Sequence, residues 1–130
     1  MNRRQFVFSG AVAATLGANS LTTAWGDSPT MYGLIGRIDT VPGKRDELAA
    51  ILLQGVSGMP GCLSYVVAND PEDQNALWVT EVWEDRESHA ASLALPSVQT
   101  AIQEGRPLIA GFSQRHETEP VGGHGLLQDG

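Results

Sequence analysis

Residues 77–98, LWVTEVWEDRESHAASLALPSV, decide the fold. From Ala76 to Asp85 the side chains divide with period two: Leu77, Val79, Glu81 and Trp83 on one side, Ala76, Trp78, Thr80, Val82 and Glu84 on the other. Both sides carry large apolar groups, so this strand is expected in the middle of a sheet, with helices against one face and a further layer against the other. Glu81 is then a carboxylate among buried neighbours, which calls for a partner, a raised pKa or a catalytic task, and a hydrogen-bonded structural Glu satisfies the same pattern. After Trp83 the spacing becomes helical. Asp85 suits an N-cap, with Ser88 three residues on, and His89, Ser92 and Leu93 fall on one helical face. Pro96 stops that helix. A second helical pattern runs from Ser97 to Ile109 through Val98, Ala101, Ile102 and Gly105, broken at Pro107.

Working outward, Tyr32 to Val41 alternates as a strand, with Tyr32, Leu34, Gly36 and Ile38 on one face and Met31, Ile35, Arg37 and Val41 on the other. A glycine inside a strand often permits close approach of another backbone or a ligand, with plain packing the commoner cause. Pro42-Gly43 turns the chain into a helix over 44–57 whose buried stripe is Leu48, Ile51, Leu52 and Val56, and Asp46 and Glu47 in its first turn suit the helix dipole. Gly58 and Pro60-Gly61 end it. Cys62 to Asn69 is a Val- and Tyr-rich strand joined through the polar turn 70–75 to the decisive strand, a hairpin. The last strand is Gly111 to Thr118. The order is β-α-β-β-α-α-β: an α+β, ferredoxin-like fold with an antiparallel sheet and its helices on one face. Trp78, Val82, Leu34, Ile38, Val66 and Phe112 are candidates for the opposite face. A chain of this size cannot leave such a face wet, so a second copy packed sheet to sheet, a homodimer, is expected.

The 130 residues are 42% hydrophobic and 18% charged, enough for one core and not two. Residues 1–26 are of another kind. Arg3-Arg4-Gln5-Phe6-Val7 resembles a twin-arginine export signal, and the apolar run behind it, Phe6 to Ala18, is too short to span a bilayer. Thr22-Thr23-Ala24 offers small residues for cleavage before Trp25. The mature chain then carries 6 basic against 15 acidic side chains, a net charge of −9. A soluble periplasmic or extracellular protein with no stable membrane insertion after cleavage is expected. Residues 31–120 form the folded domain, and the Gly-rich 121–130 a flexible tail. The acidic balance, with no Lys/Arg cluster after the N-terminus, excludes a nucleic-acid surface. The single cysteine, Cys62, excludes an internal disulfide and reads as a small buried strand residue, and no Cys/His cluster has metal-ligand spacing.

The run Glu81-Val82-Trp83, an acidic or polar turn, a helix containing His89, and then Ser92-Leu93-Ala94-Leu95-Pro96 resembles the antibiotic biosynthesis monooxygenase family, which includes quinol monooxygenases. The resemblance covers residues 31–120. Many members place a histidine directly before the leucine of that helix; here Ser92 stands there and His89 lies one turn earlier. It implies a dimeric α+β barrel and a cofactor-independent monooxygenase acting on a small phenol or hydroquinone and O₂. The candidate residues are His89, Glu81 and Ser92 for catalysis and Trp83 and Leu93 for substrate binding, with no metal and no cofactor. Each has a bland counterpart: a packing histidine, a core tryptophan, a serine bonded to its own helix. Arg37 and Arg115 read as surface or sheet-edge ion-pair residues. No flavin or nicotinamide motif occurs, since the glycines never form GxGxxG between strand and helix, so the substrate must supply the electrons. The competing reading is a non-catalytic exported dimer that holds a small aromatic or lipid-like molecule.

Overall fold

The computed structural model describes residues 30–126. Four strands, β1 (Tyr32–Thr40), β2 (Cys62–Asn69), β3 (Ala76–Trp83) and β4 (Ile109–Thr118), form one antiparallel sheet in the order β2-β3-β1-β4. Helix α1 (Arg45–Gly55) joins β1 to β2, and α2 (Arg86–Ser92) and α3 (Pro96–Gly105) join β3 to β4, with a 3₁₀ turn at Arg106–Leu108 leading into β4. This is the expected βαββααβ ferredoxin-like arrangement, with β3 in the interior. The second helical pattern ends four residues earlier than its spacing suggests, because Pro107 forces the last turn into 3₁₀ geometry.

Period two and the pairing register put one set of side chains under the helices. Tyr32 pairs with Trp83, Leu34 with Glu81, Gly36 with Val79 and Ile38 with Leu77. Two clusters result. Tyr32, Leu34, Met59 and Trp83 pack with Val56 and Val98; Ile38, Leu48, Leu77 and Val79 pack with Leu52, Val67 and Ile109. Trp83 is 1% exposed, and truncating so large a buried side chain costs about 3–5 kcal/mol. Any functional test at that position would therefore be confounded by unfolding. Helices α1 and α3 cross closely at Gly55, where an added Cβ would come within 2.6 Å of the Ala101 Cβ.

The register corrects the expected far face. Leu34 and Ile38 belong to the core, and Phe112 lies on the same face, exposed at its edge, because a bulge between Arg37 and Ile38 skips Ser113 and sets Phe112 opposite Ile38. The opposite face keeps Trp78, Val82 and Val66, joined by Ile35, which pairs with Thr80 and His116. Its charged centre is Arg37, which bonds Asp73 at 2.7 Å and pairs with Asp39 and Asp70. Trp78 Nε1 donates to Asp70 at 2.9 Å. Cys62, expected buried, is half-buried because β2 is an edge strand. The twin-arginine and cleavage motifs lie outside the described residues, as do the last four residues of the tail; residues 119–126 carry no helix or strand. Among the described residues no helix is long and apolar enough to cross a membrane.

Candidate functional site

The turn from β3 into α2 sets the site. Asp85 is extended and its carboxylate accepts the Ser88 N–H at 2.8 Å, the expected N-cap. The Glu84 N–H donates to the Gly61 carbonyl at 2.8 Å. Gly61 has φ +81°, and a Cβ there would collide with the Ser88 side chain. Only glycine lets the start of β2 grip the first turn of α2 so closely. One turn along, His89 is laid over the end of the sheet.

His89 sits between two rings. Its centroid is 5.4 Å from Trp83, edge-on at 73°, and 5.2 Å from Tyr32, tilted by 43°. Tyr32 is itself fixed: its hydroxyl donates to Glu117 Oε2 at 2.6 Å, Arg86 bonds the same oxygen at 3.0 Å, and the Arg86 guanidinium lies 4.5 Å above the Tyr32 ring. Burial, reinforced by the Glu117 carboxylate, raises the Tyr32 pKa, so this phenol stays a donor. Glu117 is held below the usual carboxylate range by the hydrogen bonds from Tyr32 and Arg86.

Glu81 faces the same space. Trp83 Nε1 donates to its Oε1 at 2.9 Å, and His89 Nε2 lies 4.0 Å from that oxygen. Burial pushes the Glu81 pKa up, opposed by the Trp83 hydrogen bond and by the charges of His89 and Arg115. The gap between Glu81 and His89 is too long for a direct hydrogen bond. It still allows one hydroxyl oxygen to sit roughly 2.8 Å from both atoms.

Both groups border a cavity of about 460 Å³ between the sheet and the helices, a size that suits a small organic molecule. Its floor is Leu34, Gly36, Ile38 and Val79, its roof Leu52, Val56, Val98 and Ile102, and Glu81, His89, Arg106 and Arg115 bring ionisable groups to its lining. Leu93 and Phe112, 46% and 64% exposed, stand among the most open of its lining side chains.

All five residues singled out from the sequence, Glu81, Trp83, His89, Ser92 and Leu93, border this one cavity. Ser92 is buried and its hydroxyl donates to the His89 carbonyl at 2.6 Å, the back-bonding common for a helical serine, so its proton is committed to the helix. Arg115, read as an ion-pair residue, instead borders the cavity. The Tyr32, Arg86 and Glu117 group escaped the sequence reading, because it joins residues 85 apart and no local pattern marks it. His116 lies on the far sheet face beside Gln114. Among the described residues no group of three or more His, Cys, Asp or Glu side chains is arranged to hold a metal ion.

Residues 31–104 match the model of the antibiotic biosynthesis monooxygenase family. A solved protein of Chloroflexus aurantiacus J-10-fl, provisionally described as an antibiotic biosynthesis monooxygenase, is 65% identical, with a TM-score of 0.74 over 75% of this chain and 99% of its own. A Caulobacter crescentus CB15 protein of the same description is 18% identical, with a TM-score of 0.66 over 73% of this chain and 93% of its own. A Pseudomonas aeruginosa protein is 20% identical, with a TM-score of 0.65 over 75% of this chain and all of its own. The last two share the fold. No curated protein matches the sequence.

Proposed function

The chain belongs to the antibiotic biosynthesis monooxygenase family, and from that premise we propose that it oxidises a small phenol or hydroquinone with O₂, using no cofactor. The observation that carries this reading is the closeness of His89 and Glu81 on the wall of a cavity lined mainly by apolar side chains. An ordinary phenol has a pKa of about 10 and reacts sluggishly with O₂ until it loses its proton. A hydroxyl held between the two groups gives that proton to His89, and the Glu81 carboxylate, 4.0 Å away, stabilises the imidazolium. The phenolate passes one electron to O₂. The phenoxyl radical and superoxide recombine at a ring carbon, forming a C–O bond, and His89 returns its proton to the peroxide. The O–O bond then breaks, the outer oxygen leaves as water with that proton and the ring C–H hydrogen, and a carbonyl remains. For benzene-1,4-diol the balance is one diol and one O₂ to one hydroxyquinone and one water.

The apolar walls favour this sequence by excluding bulk water from the charged pair. Tyr32 and Trp83 hold the imidazole between them, and Leu93 contributes an exposed apolar surface for an aromatic ring to enter against. Ser92 is assigned a supporting part, through its bond to the His89 carbonyl. We further propose that the protein works as a homodimer, closed by the sheet face that bears Ile35, Val66, Trp78 and Val82, and that it is exported by the twin-arginine route. The first is supported by the apolar side chains left unburied there, Val66 being 52% exposed and Ile35, Trp78 and Val82 half-buried, and the second by Arg3-Arg4 and the short apolar run behind them.

The test is oxygen uptake with a panel of phenols and hydroquinones, with no added flavin, nicotinamide or metal. Turnover by the parent protein that falls in His89→Ala supports the reading. Tight binding of the same compounds without turnover would favour a ligand-binding protein instead.

A further inference from the structure

Most glycines among the described residues have a structural reason to be glycine. A Cβ at Gly33 would collide with Thr118, one at Gly55 would come within 2.6 Å of Ala101, and one at Gly105 would reach Leu48 at 3.0 Å. Gly43 and Gly61 have positive φ. Gly36 has neither reason. It lies in the interior of β1, paired with Val79 on one side and Arg115 on the other. A Cβ there would meet only the carbonyl oxygen of Gln114, at an ordinary 3.7 Å. A glycine in a strand interior weakens the strand, and here neither turn nor packing requires one.

The space above Gly36 is the cavity. Gly36 is part of its floor, one strand-face position from Leu34, which pairs with Glu81, and one from Ile38. Every flanking position on that face of β1 carries a bulky side chain. The missing side chain therefore makes a flat recess in the floor, one pairing step from Glu81, where a planar ring system can lie against backbone. Resting on the reading of this cavity as the substrate site, we infer that Gly36 is a specificity-determining residue: it admits a fused, two-ring aromatic diol, which a side chain at this position would exclude while a single ring could still shift along the cavity.

The test is anaerobic calorimetric titration of the full-length protein, Gly36→Ala and Gly36→Val with naphthalene-1,4-diol and benzene-1,4-diol, alongside the thermal midpoint of each protein. Gly36→Val is expected to weaken binding of the two-ring diol about tenfold or more, the scale of a misfit methylene or two in an apolar pocket. Binding of the one-ring diol should change by less than about threefold, and the midpoint should not fall, because the strand loses a glycine. Gly36→Ala, whose single added carbon meets only Gln114, should show the same ordering to a smaller degree and carries the comparison should the valine protein misfold. An equal effect on both diols, or none on either, overturns the assignment of Gly36 while leaving the cavity reading in place. Binding of neither diol by the unsubstituted protein overturns the cavity reading and the assignment with it.

Discussion

Replacing Glu81 by Gln separates what this carboxylate does for chemistry from what it does for the fold. The amide retains an oxygen to accept the Trp83 N–H, bonded at 2.9 Å in the parent, and removes only the charge. Two unit charges at the 4.0 Å separation of Glu81 and His89 attract by about 4 kcal/mol at an effective dielectric of about 20. Part of this is offset because the carboxylate is itself costly to bury, so the barrier to proton transfer is expected to rise by about 1.5–2.7 kcal/mol, lowering kcat roughly 10- to 100-fold. Stability should move the opposite way. Burial raises the folded-state pKa of Glu81 above its ordinary 4.5, so around that range the folded protein binds more protons than the unfolded chain. The favourable contribution is therefore fully present below pH 4.5 and is lost as pH rises through the folded-state value. At neutral pH the buried carboxylate destabilises the fold, and Glu81→Gln should melt higher than the parent, with the difference growing as pH rises out of the acid range. Steady-state oxygen uptake and thermal melts from pH 4 to 8 measure both effects. A kcat within threefold of the parent, or a variant that loses activity and stability together, would refute the assignment of Glu81 as the charge behind His89.

His89→Ala should lower oxidation by about 10²-fold or more with the melting temperature little changed, whereas Ser92→Ala should cost about 0.5–1.5 kcal/mol of stability and much less of the rate. The dimer is best tested at Val66, because Trp78 already bonds Asp70 within its own protomer and its replacement would disturb the fold directly. Val66→Glu puts a charge at a position 52% exposed in one protomer, so it should give folded monomers by light scattering, and a monomeric parent would rule the barrel out. Mass spectrometry of protein from its native host should find the terminus near Trp25; an intact Met1 or Asn2 terminus would remove the export proposal.

The fold was legible where periodicity changes sharply. The switch from period two to helical spacing at Trp83, the Asp85 cap and the Pro96 stop located β3, α2 and the start of α3, and the sharing of faces by Glu81 with Trp83 and by His89 with Ser92 was enough to bring them to one cavity. Strand faces were less legible. β1 carries apolar side chains on both sides, and only pairing with β3 shows that Leu34 and Ile38 are core. Phe112 could not be placed because its face depends on a one-residue bulge, and a slip of one residue turns every side chain over. The contacts of Tyr32 with Glu117 and Arg86 follow from tertiary pairing alone. The role of Gly36 depends on an empty volume, which no pattern of residues reports.

The most direct test of cofactor-free oxygenation is to supply ¹⁸O₂ to the purified, metal-stripped protein with a turning-over hydroquinone and weigh the product. One ¹⁸O atom in each quinone product, one O₂ consumed per product, and loss of both signals in His89→Ala are expected. Product oxygen drawn from water, release of hydrogen peroxide in place of incorporation, or undiminished incorporation in His89→Ala would contradict it.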